Sequence, residues 1–205
     1  AFRCRKAAPP FGESDPPGNR VMPVWHHDRM EMLSMLTVLT EFGATGSIAG
    51  MRPLASFPEV TAVLGPPEKS GRISDDQPWP QWFQYGDMSV EVCRCRIINR
   101  VSVRTWYESV RIPTGRPGEF HTFEAAPTCP QLSAAFSAAG VPWQRVEQTH
   151  SLPQFTIETD IAGLPGVTVA FTFTTGETPD APPLHSAHAV EFAHECPEDS
   201  APVPG

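Results

Sequence analysis

The chain has 205 residues, 40% of them apolar and 19% charged, so it is too apolar to be disordered throughout and long enough to bury the core of one or two domains. Its 15 basic and 23 acidic residues give a net charge of −8, which argues against nucleic-acid binding, because that affinity comes mainly from basic residues that neutralise phosphates. A basic protein partner fits this charge better. No apolar stretch approaches the roughly 20 residues that span a bilayer, so no membrane partner is expected.

Cysteine usage favours a reducing compartment. An odd number of cysteines without repeated spacing does not indicate a disulfide framework. The N-terminal residues also lack the apolar core of a signal peptide. A cytoplasmic protein is therefore expected. The five cysteines are Cys4, Cys93, Cys95, Cys129 and Cys196.

Proline is concentrated near the two ends of the chain, which predicts extended tails at 1–24 and 196–205. Between the tails, the pattern of elements predicts two units, 25–115 and 116–195.

In the first unit, apolar residues at helical spacing predict a helix from His26 to Phe42, with Gly43 as its stop. A second, short helix starts with Pro58 at its first position and ends at Gly65. The polar residues 69–77 that follow are predicted to form a loop.

The first hairpin is located by a change of phase. Met88, Val90 and Val92 share one strand face, after a predicted turn at Gly86-Asp87. The apolar positions that follow have a different phase, so the chain should reverse near Cys93–Arg96.

The second unit follows a predicted linker at 113–118. A short helix is predicted from Pro130 to Ala139, with Gly140 as its cap. Alternation then predicts extended segments at 141–147, 155–157, 167–174 and 184–192.

The two units contain an internal repeat. Phe57–Leu64 can be aligned with Cys129–Phe136, proline on proline, and each copy precedes an alternating run, at 88–92 and at 167–173. The predicted fold class is α+β, with two tandem helix-plus-antiparallel-hairpin units and a sheet that carries its helices on one face.

Several short motifs resemble those of an uncharacterised actinobacterial α+β family over residues 52–193. They are Leu64–Pro67, Tyr85–Val92, Ala139–Trp143, Gly166–Phe171 and Leu184–Ser186. The resemblance implies an immunity protein against a secreted toxin. The chain departs from that family at Cys93-Arg94-Cys95, where a glycine-containing turn is usual.

The helix-then-hairpin unit is similar, more loosely, to the repeat of the beta-lactamase inhibitor protein fold and to that of a small lipoprotein from outer-membrane barrel assembly. Both are binding scaffolds, so this similarity implies binding without catalysis.

Two groups of metal-binding residue types are present. The first comprises His185, His188, His194 and Cys196. On one strand, positions 185 and 188 would face opposite sides of the sheet, which argues against a shared metal. The second group, Cys93 and Cys95, has no second pair at zinc-ribbon spacing and is predicted to form exposed turn thiols, with a redox role left open. No metal site and no cofactor are expected.

Aromatic and acidic residues provide the candidates for partner binding, because Trp and Tyr are preferred interface anchors and carboxylates attract a cationic partner. Phe83 and Trp106 are expected in the core instead. The predicted partner-binding residues are Asp75, Asp76, Trp79, Trp82, Tyr85, Arg94 and Tyr107.

The function predicted from these patterns is that of a non-enzymatic protein-binding module, an immunity or inhibitor protein that occludes the active site of a partner such as a basic toxin or enzyme. The sequence has no nucleophile elbow, phosphate-binding loop, His-Glu-x-x-His or dinucleotide fingerprint. Two alternatives are an assembly subunit of a larger complex and an unrecognised enzyme. The enzyme would need a pocket that joins several of His121, His150, His188, Glu158 and Asp160.

Overall fold

The computed structural model describes residues 34–147, 154–175, 180–191 and 194–197. These residues form an α+β fold, as predicted. The helices are α1 (Met35–Thr45), α2 (Phe57–Leu64) and α3 (Cys129–Ala139). The strands are β1 (Lys69–Arg72), β2 (Gln81–Tyr85), β3 (Met88–Val92), β4 (Ile98–Arg104), β5 (Val110–Pro113), β6 (Phe120–Phe123), β7 (Gln144–Glu147), β8 (Gln154–Asp160), β9 (Val167–Thr174) and β10 (Leu184–Glu191).

Eight strands form one antiparallel sheet in the order β1-β2-β3-β4-β10-β9-β8-β7, and β5 and β6 form a separate hairpin. The two central strands, β4 and β10, pair antiparallel, with Val101 opposite Ala189. The end of β10 therefore lies beside the start of β4, although the two segments are far apart in sequence. This placement decides which side chains can meet at that end of the two central strands.

One face of the sheet forms the core. Apolar residues in register across it, such as Val90, Val101 and Ala189, are completely buried. The helices cover this same face through aromatic contacts. These contacts are Phe57 on Phe83, with ring centroids 4.2 Å apart, and both Phe42 and Phe136 on Phe171, at 6.2 and 5.1 Å.

The other face of the sheet is polar. A row of paired residues crosses it from Gln84 through Ser89 and Ser102 to His188.

Most of the predicted helix ends and turns are confirmed. Helix α2 has proline in its first turn and ends at Gly65, and α3 ends at Gly140 in the left-handed conformation. The turn at Gly86-Asp87 and the chain reversal between Val92 and Ile98 are also confirmed.

The bounds of the first helix were predicted wrongly. Helix α1 begins after Ser34, whose side chain accepts a hydrogen bond from the Thr37 N–H, and it ends at Gly46, where φ is +67°. Residues 26–33 of the predicted helix lie outside the described part. Gly43 is an interior helical residue, because the left-handed glycine that ends the helix is Gly46, three positions later.

The predicted loop at 69–77 and the predicted linker at 113–118 were wrong in part. Residues 69–72 form the edge strand β1, which is mostly exposed and therefore carries no apolar alternation. The linker lies largely between β5 and β6, a hairpin that the sequence did not reveal.

The burial of Gly43 leads to a testable prediction. A Cβ at this position would lie 2.6 Å from Phe136 Cε1, where α1 packs on α3. We expect Gly43→Ala to lower the free energy of unfolding by at least about 1 kcal/mol, because the clash outweighs the better helix propensity of alanine. Urea unfolding at constant temperature measures the change.

The matched test is a double-mutant cycle with Phe136→Leu, which makes room for the added methyl group. The double variant should lose less stability than the sum of the two single variants. Strict additivity, or a stabilising Gly43→Ala, would contradict this account of the glycine.

Candidate functional site

Four metal-binding side chains converge at one end of the central strands, where the β3–β4 turn lies beside the segment that follows β10. They are Cys93, Cys95, His194 and Cys196, hereafter the Cys/His cluster. Their donor atoms all lie within 4.8 Å of one another. No other group of three or more His, Cys, Asp or Glu residues with such convergence occurs among the described residues.

The turn places two of these residues. The Cys93 N–H donates to the Ile97 carbonyl and the Arg96 N–H donates to the Cys93 carbonyl, both at 3.0 Å. Arg96 takes a left-handed conformation with φ of +65°. This tight reversal directs the sulfurs of Cys93 and Cys95 to the same side, with their Sγ atoms 2.8 Å apart.

The pairing of β10 with β4 brings the other two residues. Val190 lies opposite Arg100, so the chain leaves β10 next to the turn. The backbone N–H of His194 donates to Glu191 Oε2 at 2.6 Å. Arg94 Nη2 donates to the Pro197 carbonyl at 2.9 Å and joins the turn to the segment from its other end.

The imidazole of His194 lies among the three sulfurs. Its Nε2 is 3.1 Å from Sγ of Cys95, 3.4 Å from Sγ of Cys93 and 3.9 Å from Sγ of Cys196. Sγ of Cys196 is 3.4 Å from Sγ of Cys95. Thiolates and imidazole are the usual protein ligands of zinc, so this donor set can hold such an ion.

The thiols differ in how readily they lose a proton. Burial, reinforced by a hydrogen bond with Cys95, raises the pKa of Cys93 to about 12. Burial also opposes ionisation of Cys196, but hydrogen bonds from the Cys95 backbone and from the neighbouring thiols and His194 outweigh it and lower the pKa of Cys196 to about 7. Cys196 therefore ionises at a lower pH than Cys93.

The prediction of exposed turn thiols was wrong for Cys93, which is 5% exposed, because the segment after β10 covers the turn. The group of His185, His188, His194 and Cys196 is split in the structure. His185 stacks on Trp106 with ring centroids 4.6 Å apart, and His188 lies on the polar sheet face near Arg100. Only the last two residues belong to the Cys/His cluster.

A second feature is an exposed aromatic pair just after β4. Trp106 and Tyr107 are 48% and 46% exposed, with ring centroids 5.6 Å apart. They border a cleft of about 350 Å³ that Glu108 and Glu124 also line. Hereafter these two rings and two carboxylates are the aromatic cleft.

The prediction that Trp106 belongs to the core was wrong. Strand β4 ends at Arg104, and Thr105 turns away to bond β10, its N–H to the His185 carbonyl and its hydroxyl to the Leu184 carbonyl. The strand therefore ends before Trp106, whose ring stacks on His185 and stays exposed. Phe83, by contrast, is buried as predicted.

Tyr85 requires a correction, because it is 2% exposed and offers no side-chain surface to a partner. Its hydroxyl donates to the Gly65 carbonyl, and burial raises its pKa to about 12. Arg94 lies in the turn of the Cys/His cluster. Its guanidinium donates to the carbonyl of Pro197, a residue about 100 positions later in the chain.

The remaining predicted partner-binding residues lie apart from the aromatic cleft, except for Tyr107. Asp75 and Asp76 are exposed in the loop before β2. Trp79 is half-buried, with the Arg96 guanidinium 5.0 Å from its ring centre, and Trp82 packs on Gly71 of the edge strand.

The candidates for an enzymatic pocket are placed in different regions. His121 lines a cleft of about 430 Å³ between α1 and β5, whereas His188 and Glu158 lie on the polar sheet face with Ala170 between them. Asp160 is exposed at the end of β8, and His150 lies outside the described residues.

No protein-family model matches the chain, and no curated protein or solved structure matches it either. The resemblance to the actinobacterial family therefore stays a prediction. Within the described ranges, no helix has both the length and the apolar character needed to cross a membrane.

Proposed function

We propose that this protein is a non-enzymatic protein-binding module of the immunity or inhibitor type, which acts in the cytoplasm by covering the active site of a basic partner. The exposed Trp106–Tyr107 pair carries this proposal. Large aromatic side chains that remain exposed are typical anchors of protein interfaces, since they bury much area at a low entropic cost.

The pair is held in place before any partner binds. His185 of β10 stacks on one side of Trp106, and the guanidinium of Arg104 lies 5.8 Å from the ring centre. An anchor that is already ordered loses less conformational entropy on association, so more of its contact energy contributes to affinity.

Charge favours a basic segment as the occupant of the cleft. Glu108 and Glu124 line it beside the aromatic rings, and the whole chain has a net charge of −8. A Lys or Arg of the partner could pair with these carboxylates and lie on an aromatic face at the same time. Association should therefore weaken as salt concentration rises.

We further propose that the scaffold is a tandem repeat. Helix α2 precedes the antiparallel run β1 to β4, and α3 precedes the run β7 to β10. In each run the first strand lies at an edge of the sheet and the later strands follow in chain order towards the centre. The last strands of the two runs, β4 and β10, pair at the centre. Trp106 follows one of these strands and stacks on the other, so the aromatic cleft lies at the junction of the two units.

The test is capture from a lysate of the native host, together with co-expression with the product of a neighbouring toxin-like gene. We expect a single basic protein to be captured and host cells to be protected from it. Trp106→Ala and Tyr107→Ala should each weaken the complex by about 30-fold or more, the loss expected for an interface anchor worth about 2 kcal/mol.

Two controls distinguish the aromatic cleft from other surfaces. Val63→Ala changes a side chain on α2 that is 53% exposed and should leave affinity unchanged. The double variant Asp75→Asn/Asp76→Asn tests the acidic loop before β2. If the loop variant abolishes binding and the Trp106 variant does not, the cleft is the wrong surface; if no protein is captured and no protection occurs, the proposed function fails.

A further inference from the structure

We propose that Cys93, Cys95, His194 and Cys196 bind one Zn²⁺ ion, which ties residues 194–197 to the β3–β4 turn. This proposal is independent of the aromatic cleft and of any partner. It rests on the convergence of four donor atoms from two segments that are about 100 residues apart.

The distances suit a tetrahedral ion. Zinc with Zn–S near 2.3 Å and Zn–N near 2.0 Å places its sulfurs about 3.8 Å apart and the nitrogen about 3.6 Å from each sulfur. The three N–S distances in the cluster are 3.1, 3.4 and 3.9 Å, and the Cys95–Cys196 sulfur distance is 3.4 Å. The sulfurs of Cys93 and Cys95, at 2.8 Å, must separate by about 1 Å, and all donor atoms already lie within 4.8 Å of one another.

The donor types select the metal. Three sulfurs and one imidazole nitrogen form a soft set that Mg²⁺ and Ca²⁺ avoid, because those ions prefer oxygen ligands. Four protein ligands complete the coordination of zinc and leave no open position for substrate. The site is therefore structural and not catalytic.

The surroundings support the same ion. Three thiolates with Zn²⁺ carry one negative charge, and the same turn contains the basic residues Arg94 and Arg96. Glu191 and Arg94 hold the segment of His194 and Cys196 at both ends, at 2.6 and 2.9 Å. Such outer contacts orient ligands before the metal binds.

The consequence for the fold is a link between the two halves of the chain. Cys93 and Cys95 belong to the turn between β3 and β4, whereas His194 and Cys196 follow β10. The ion would fasten the end of β10 beside the β4 strand with which it pairs.

The experiment uses the full chain, freed of metal with a chelator under reducing conditions, and titrates it with Co²⁺ as a spectroscopic probe. We expect the visible ligand-field bands of tetrahedral cobalt, a sulfur-to-cobalt charge-transfer band, saturation at one ion per chain, and displacement by Zn²⁺. Amide hydrogen exchange of residues 194–196 should slow when Zn²⁺ is added.

Cys95→Ser and Cys196→Ser should each weaken Zn²⁺ binding by more than the roughly 10–100-fold that loss of an outer contact costs. Both residues are half-buried, so serine should be tolerated in the fold, which far-UV circular dichroism checks. His194→Asn is a second variant of the same kind. Cys129→Ala is the matched control, because this buried thiol lies at the start of α3, outside the cluster, and its loss should leave the stoichiometry at one.

Three results would overturn the proposal: no tetrahedral cobalt spectrum in the wild type, unchanged affinity in folded Cys95→Ser and Cys196→Ser, or a native mass lower by two hydrogens from a Cys93–Cys95 disulfide. None of these measurements depends on a binding partner. Failure here would therefore leave the proposed protein-binding function untouched.

Discussion

Replacing Phe171 with alanine is expected to lower the free energy of unfolding by about 3–5 kcal/mol, the range measured for large aromatic truncations in cores. Phe171 on β9 is completely buried. It contacts Phe42 of α1 and Phe136 of α3 edge-on, so one side chain joins both helices to the sheet. The cavity would open where these three elements meet, and rigid neighbours would fill it only in part.

Urea unfolding followed by tryptophan fluorescence and by circular dichroism measures this loss. Trp106→Ala is the matched control, since that ring is 48% exposed and its truncation should change stability by less than about 1 kcal/mol. The same control shows that a loss of binding in the Trp106 variant is not a loss of fold. If Phe171→Ala costs no more than Trp106→Ala, the three elements do not share one core.

Acid is expected to destabilise the protein through His188. Burial, followed by the positive charge of Arg100, lowers the pKa of His188 from 6.5 to about 4. Between pH 6.5 and pH 4, His188 is therefore protonated in the unfolded chain and neutral in the folded protein. The free energy of unfolding consequently falls as pH decreases through this range. The loss amounts to on the order of 3 kcal/mol at pH 4 and below, at about 1.4 kcal/mol per pKa unit.

The measurement compares the unfolding free energy of the wild type and of His188→Gln from pH 8 to pH 4. The difference between the two curves should be flat above pH 7 and should shift in favour of the variant between pH 6.5 and 4. Arg100→Gln should narrow the pH range of the shift without abolishing it, because burial lowers the pKa of His188 more than the charge of Arg100 does. A difference curve that stays flat across the acid range would show that His188 titrates normally.

Local signals predicted the elements that proline and glycine delimit. Helix α2 carries proline in its first turn, and α3 ends at Gly140, because the fixed φ of proline and the left-handed conformation of glycine act within one turn of chain. Local signals did not predict the edge strand β1, since an exposed strand needs no apolar residues. Gly43 was misread because its role depends on Phe136, a neighbour 93 residues away.

The aromatic cleft was predicted only through Tyr107. Trp106 was assigned to the core on residue type alone, because aromatic side chains dominate cores, and the sequence contains no signal that Thr105 bonds to β10 and ends the strand. The opposite error occurred at Tyr85, whose type is common at interfaces but whose register places it in the core. In both cases residue type alone gave the wrong exposure, which depended on the bonding of Thr105 to β10 for Trp106 and on the core-facing side of β2 for Tyr85.

By itself the sequence determined an acidic α+β chain with a proline-opened helix in each half, because composition and local backbone preferences act without distant contacts. It also contained Cys-x-Cys and His-x-Cys, two short patterns whose shared spacing was the available signal for the Cys/His cluster. Only the tertiary structure decided that these patterns meet. The antiparallel pairing of β10 with β4 brings the end of one strand beside the start of the other, and strand order is set by long-range packing that no local window contains.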